Sequence, residues 1–458
     1  MDRMTPLDAL FLEAEDEEPG VSMAISSIAV FEGPAPTYAE FAELLTSRLP
    51  LIPRYRQKVR QLPFDLGPPV WYDDENFELS YHLRHTALPA PGSDEELSAL
   101  MARLMSARLD RDRPLWEYWL VEGLRDGRWA LISKVHHCMV DGVSGTDLYG
   151  VVLDPTPRPQ PAIHDDWAPQ HQPTTISLTA TALGQLVLTP LQQVRLAVDG
   201  LKQPGMLAYR SWSIGRGLWA LSEALWPAWP SSLTGSLSAS RRFAFGRAKV
   251  SQVKKIRRAL GGTFNDVVLT AVAGGFRELL LSRGEIPREN SLRTLVPVNL
   301  RAPGEEGIRD NRVSLMLAQL PVHLEDPVER LAAVRARLDE LKSDHEIDSV
   351  ALLTELAGRE PFPLIASGYR LAARSPQQSV VTVVTNVPGP RQPLYALGRR
   401  LVEIIPYVPI ASTVRTGVSI MSYCDSIAFG VTGDYSESDL AVLVEGIERS
   451  LDELTAVS

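Results

Sequence analysis

Residues 131–145 read LISKVHHCMVDGVSG: an apolar run ending in two adjacent histidines, with an Asp-Gly pair beginning four residues after the second. Branched and apolar residues over Leu131–Val135 predict a buried strand. Side chains alternate across a strand, so His137 is expected on the side of Trp129, Leu131, Ser133 and Val135, and His136 with Ile132 and Lys134. Of the two, an imidazole on the apolar side is the better general base, because it titrates near neutrality and can take a proton from a hydroxyl. Asp141 can orient that ring only if the loop folds back. It can instead form an ion pair that fixes the loop, with Gly142 allowing the turn.

Three other readings fit the same residues. The pair can be structural, each ring satisfied within a core. A zinc site is disfavoured, because adjacent strand histidines diverge and no third ligand has the right spacing. Cys138 as a nucleophile is weaker again: it is expected to point away from the neighbouring base, and nothing evident lowers its pKa.

Working outward, RPLWEYWLVEGLRDGRWALISKVHH contains two strand-like runs around Arg125-Asp126-Gly127, a hairpin signal. Trp116 and Trp119 flank it as expected core anchors. Residues 22–32 predict a strand, Tyr38–Leu49 an amphipathic helix, Glu95–Leu109 another, and Ser144–Leu153 a short one. The acidic run Glu13–Glu18 is expected to be a solvated loop.

Prolines at 155, 157, 159, 161, 169 and 173 mark a linker, since proline removes a donor and blocks regular pairing. Residues 174–230 are apolar and sparsely charged, with tryptophans at 212, 219, 226 and 229. They predict either helices packed across two domains or an interfacial amphipathic helix. The second half alternates again. Thr263 and Asp266 resemble a capping box opening a helix to Leu281, and Asn265 can share that capping role. TLVPVNL, SVVTVVTN and SIAFGVTGD read as strands. Asp326-Pro327 opens one helix and Ser436 is expected to cap the last.

The chain has 458 residues and a net charge of −10, enough for two or three domains and a balance unsuited to nucleic acid. Two cysteines exclude a disulfide framework and suit a reducing compartment. The acidic N-terminus differs from a signal peptide, and no apolar run reaches the length of a membrane span. The expected location is cytoplasmic.

HHCMVDG matches HHxxxDG, the motif of acyltransferases of the chloramphenicol acetyltransferase-like superfamily. Further segments resemble the bacterial wax ester synthase/diacylglycerol acyltransferase family: TPLDALFLEAE, RPLWEYWLVEGL, TFNDVVLTAVAGGFR, VPVNLR, TNVPGP and FGVTGD. Cys138, Asp310 and Thr385 depart from the Ala, Gly and Ser expected at those places. The resemblance implies an α/β fold of mixed sheets, with two acyltransferase-like domains around a central tunnel. The expected boundaries are 1–153, a linker and crossover helices over 154–237, and 238–458. It implies His137 as general base, acting on an alcohol that attacks an acyl-CoA thioester, with no cofactor and no metal. Asn265, Asp266, Thr385 and Asn386 become candidates for the oxyanion and substrate-positioning roles, and Arg56, then Arg54, for the partner of Asp141. Substrates would be a fatty acyl-CoA with diacylglycerol or a long-chain alcohol. Peripheral contact with a membrane or lipid body is compatible with this. A carrier-bound acyl donor and a non-catalytic lipid-body coat are the alternatives.

Overall fold

The computed structural model describes residues 2–140, 145–161, 163–170, 172, 174, 231–299, 313–343, 362, 366–367, 370 and 379–458. The predicted segment 174–230 therefore lies, but for its first residue, outside the described residues. The first half runs β1 (Asp2–Arg3), α1 (Pro6–Glu17), β2 (Ala24–Phe31), α2 (Tyr38–Arg48), β3 (Gln57–Arg60), β4 (Val70–Asp73), α3 (Leu79–His82), β5 (Leu83–Ala87), α4 (Asp94–Ser106), β6 (Trp116–Glu122), β7 (Trp129–His136) and α5 (Gly145–Val152). The second runs β8 (Arg241–Lys249), α6 (Val250–Leu260), α7 (Phe264–Ser282), β9 (Arg293–Asn299), β10 (Val313–Gln319), α8 (Pro327–Ser343), β11 (Thr382–Pro388), β12 (Tyr395–Ala396), β13 (Arg399–Tyr407), β14 (Thr416–Tyr423), β15 (Ser426–Asp434) and α9 (Leu440–Ala456).

Local signals place most of these elements. The predicted hairpin forms: β6 and β7 pair antiparallel from Trp116↔Val135 to Val121↔Ala130. Its turn holds Asp126 at φ 62° and Gly127 at φ 67°, a left-handed backbone that Gly and Asp tolerate best. Thr263 and Asp266 cap α7 reciprocally, and Asp326 Oδ1 accepts from the Val328 and Glu329 amides at the start of α8. Ser436 does not cap the last helix. It donates to Asp434 at 2.8 Å, α9 starts four residues later, and Asp439 before it binds Arg283.

Among the described residues two six-stranded mixed sheets dominate, ordered β12-β13-β2-β7-β6-β5 and β10-β9-β11-β14-β15-β8, beside a small β1-β4-β3 sheet. The halves are not separated at the linker. β13 pairs antiparallel with β2, from Leu401↔Phe31 to Tyr407↔Ser26, so the late chain supplies an edge of the first sheet. Two large apolar cores follow. In the first, Trp129 stacks on Phe31 at 4.3 Å and meets Phe41 of α2, while Lys134 on the opposite face reaches the end of α4. The second packs α7 and α9 against the other sheet. No helix among the described residues is long and apolar enough to cross a membrane.

Candidate active site

The two histidines are divided by a change of backbone, not by strand alternation. β7 ends at His136, and His137–Met139 form a 3₁₀ turn, so the expected placement of His137 beside Val135 is corrected. The imidazole of His136 starts that turn by accepting the Cys138 N–H at its Nδ1, 3.2 Å away. The His137 N–H donates to Met23 O at 3.1 Å on neighbouring β2-side chain, as His136 N–H donates to Leu115 O at 2.9 Å. The start of the turn is thereby fixed from outside it.

His137 is half-buried, and its ring stacks on Phe11 of α1 with centroids 3.8 Å apart and planes 23° apart. Its Nδ1 is buried and has no hydrogen-bond partner among the described residues. Burial first, and the neighbouring His136 second, push its pKa down to about 4. The ring is thus neutral, the form that accepts a proton, throughout the physiological range. Burial also weakens it as a base, an effect that negative charge developing nearby would reverse.

His136 is fully buried. Its Nδ1 is an acceptor, so its proton resides on Nε2, 3.3 Å from Glu15 Oε2; the contact is close but off the line of a hydrogen bond. Burial raises the Glu15 carboxyl, but His136, Arg111 and the Met23 amide outweigh it and hold the pKa down at about 2. Burial lowers the His136 pKa against the pull of Glu15. A neutral imidazole against an ionised carboxylate results. The expected solvated loop at Glu13–Glu18 is corrected accordingly: residues 6–17 are helical, and Glu13 and Glu15 are buried. Thr5 and Pro6 start that helix, with Thr5 Oγ1 accepting the Asp8 N–H at 3.1 Å.

Cys138 lies against His136, the histidine that the alternation put on its side, and not against the expected base His137. Its Sγ lies 3.0 Å from His136 Nδ1. Burial nevertheless drives the thiol pKa far up, so no thiolate nucleophile is available there.

From the second half, the structure brings together Asn265, at the start of α7, and Asn386, in β11: Asn386 Nδ2 donates to Asn265 Oδ1 at 3.1 Å. Each amide nitrogen carries two hydrogens, so this pair has donor capacity beyond the shared bond. Asp266 is buried in its capping box, its Oδ2 2.6 Å from the Thr263 N–H. Thr385 sits on the opposite face of β11 from Asn386 by strand alternation. Trp116 is a core anchor, stacked on Tyr55 and His82. Trp119 is partly buried with its Nε1 donating to Glu117.

Asp141 and Gly142 lie outside the described residues. Arg56, the expected partner of Asp141, donates to Asp165 at 2.9 Å through Nη1 and again through Nη2. Arg54 binds Asp2 and Gln57. The residues that sequence reasoning missed are Phe11 and Glu15. Their spacing of four places both on one helix face, the one signal that could have joined them.

Residues 4–268 match the wax ester synthase/diacylglycerol acyltransferase catalytic domain, and residues 310–455 match the WS/DGAT C-terminal domain. The Mycobacterium tuberculosis protein named probable diacylglycerol O-acyltransferase tgs1 is 41% identical over 460 residues, covering 100% of this chain and 96% of that protein. The solved wax ester synthase/diacylglycerol acyltransferase from Marinobacter aquaeolei VT8 superposes with a TM-score of 0.68 at 27% identity, covering 99% of this chain and 98% of that one. The first condensation domain of the calcium-dependent antibiotic synthetase shares the fold, with a TM-score of 0.59 at 16% identity over 99% of this chain and 97% of the other.

Proposed function

Because this chain belongs to the wax ester synthase/diacylglycerol acyltransferase family, we propose that it esterifies diacylglycerol with the acyl group of a fatty acyl-CoA, with His137 as general base. The product is triacylglycerol; a long-chain alcohol in place of diacylglycerol would give a wax ester. The observation that carries the reading is the half-buried, neutral ring of His137 in its fixed turn.

The chemistry follows from that ring. His137 takes the proton of the acceptor hydroxyl as its oxygen attacks the thioester carbonyl. Asn265 and Asn386 are the donors proposed for the resulting oxyanion, where one well-placed hydrogen bond is commonly worth about 3 kcal/mol. Collapse breaks the C–S bond. The CoA thiolate, whose conjugate thiol resembles that of cysteine at about 8.5, leaves with little acid assistance and recovers a proton from the imidazolium. No covalent acyl-enzyme is needed. Diacylglycerol is insoluble in water, so the protein would meet it at a membrane or lipid-body surface, reached from the cytoplasmic side.

The test mixes purified full-length protein with palmitoyl-CoA and either diacylglycerol or hexadecanol, following thiol release and lipid product. Ester formation by wild type, reduced on the order of 10²–10⁴-fold in His137→Ala at unchanged folding, is the expected result. Thiol release without ester, or full activity in His137→Ala, would overturn the reading. A preference for hexadecanol would move the assignment to wax ester synthesis.

A further inference from the structure

Helix α1 takes no part in the reaction as written, yet two of its side chains end at the paired histidines. Phe11 lies flat on the His137 ring. Glu15, one turn later on the same face, lies 3.3 Å from His136 Nε2 and accepts the Met23 N–H at 3.3 Å, with Arg111 on its other side. Both of the first two contacts lead directly to His137. His136 precedes it in the chain, and Met23 O accepts its N–H.

The helix that carries these side chains is itself tied down. Arg370, far along the chain, bridges Glu13 at 2.8 Å and Asp65 at 2.7 Å. Arg108 Nε donates to Val21 O at 2.8 Å in the segment that follows. Glu15 is 1% exposed. An ionised carboxylate so buried is costly unless its partners compensate, and here two of those partners, His136 and Met23, border the histidine turn.

We propose that Glu15 is a positioning residue for acyl transfer: by holding His136 as its Nε2–H tautomer and fixing the Met23 peptide, it sets the orientation of His137, with Phe11 as the wall against which that ring rests. The inference depends on His137 being the base. Glu15 itself touches no reacting atom.

Glu15→Leu, Glu15→Gln and His137→Ala are compared in the full chain with palmitoyl-CoA and diacylglycerol. Misplacing a catalytic group by about 1 Å can lower the rate on the order of 10²-fold. Glu15→Leu should therefore lower kcat roughly 10- to 100-fold with KM for palmitoyl-CoA within about twofold. Glu15→Gln keeps a carbonyl oxygen to face the His136 Nε2–H and to accept the Met23 N–H, and should recover to within several-fold of wild type. A merely structural role would lower the melting temperature and the active fraction without that graded recovery in kcat per folded molecule. If Glu15→Leu does not fold, Glu15→Gln decides: a kcat lowered only several-fold at constant KM supports the proposal, whereas a kcat equal to wild type, or a loss of about 10-fold or more, overturns it. Ester from wild type, none from His137→Ala and full kcat in Glu15→Leu would defeat this inference alone. No ester from wild type would defeat the functional reading and this one with it.

Discussion

The two halves of the molecule use buried charge differently. In the second, buried charges fasten helix ends: Asp266 caps α7, and Arg330 bonds the Leu324 and Glu325 carbonyls ahead of α8. The rest of that core is apolar and tight. A Cβ on Gly446 of α9 would stand 2.9 Å from the Cα of Gly275 of α7, which fixes how closely those helices approach. In the first half, buried charges lie along the histidine strand and at the exit from α5. Glu15 lies against His136, Lys134 reaches the Leu104 and Ala107 carbonyls from the same strand, and Arg48 pairs with Asp154 where the chain leaves α5. One half therefore tunes a titratable group, and the other presents amides from a rigid frame.

That contrast is broken most severely at the Arg48–Asp154 pair. The two groups are 2.7 Å apart and both fully buried, with Arg48 Nε and Nη1 lacking further partners among the described residues. Asp154→Ala leaves an uncompensated buried guanidinium and should lose about 3–5 kcal/mol in urea unfolding. The double variant Arg48→Met/Asp154→Leu should recover most of that loss, because a buried pair replaced together leaves no charge behind. A single-variant loss below about 1 kcal/mol would show that water reaches the pair, and the contrast between halves would weaken.

The second half is probed at its amide pair. Asn386→Ala should lower kcat on the order of 10²–10³-fold, equivalent to about 2.7–4 kcal/mol, if its amide stabilises the oxyanion. Melting temperature should change little, since the shared bond with Asn265 is only half-buried. Thr385→Val, on the other face of the same strand, should stay within a few-fold of wild type. A rate loss in Thr385→Val that matches Asn386→Ala would put the donors on the wrong face of β11.

These sites differ in how far the sequence discloses them. Signals that act within a few residues were legible: the Asp126-Gly127 turn, the Thr263–Asp266 box and the Asp326-Pro327 helix start all fold as read. Ser436 misled because Asp434, two residues before it, competes for its hydroxyl. The end of β7 was missed because a side-chain acceptor, His136 Nδ1, begins the turn one residue early. The role of Glu15 was illegible for another reason. A run of acids ordinarily faces water, and only a partner 121 residues away makes one of them buried. Likewise, nothing local in RRLVEIIPY tells it to pair with β2 across 370 residues or more. The HHxxxDG resemblance located the histidines, whereas their environment is a tertiary fact.

The last difference between the halves is their response to acid. His82, His136 and His137 all belong to the first half, and burial is the leading cause of a lowered pKa in each; it brings His82 and His137 to about 4. A histidine ordinarily titrates near 6.5, so between about pH 6.5 and 4 the unfolded chain binds protons that the folded chain does not. Stability must then fall as pH falls through that window, by up to about 1.4 kcal/mol per pH unit for each proton. Glu15 adds nothing to this slope above its ordinary carboxylate range; its contribution is complete there and is lost only as pH drops toward 2. Glu13, raised by burial, opposes the histidines in part, because it favours the folded state as it protonates. His82 offers the cleanest control. It is stacked against Trp116 and bonded to the Trp116 carbonyl. His82→Gln should lower stability at pH 7 yet reduce the slope of unfolding free energy against pH by up to one proton, with kcat per folded molecule unchanged. Urea titrations at pH 7, 6, 5 and 4.5 measure that slope directly, and a slope identical to wild type would mean that His82 titrates in the folded protein as it does in the unfolded chain.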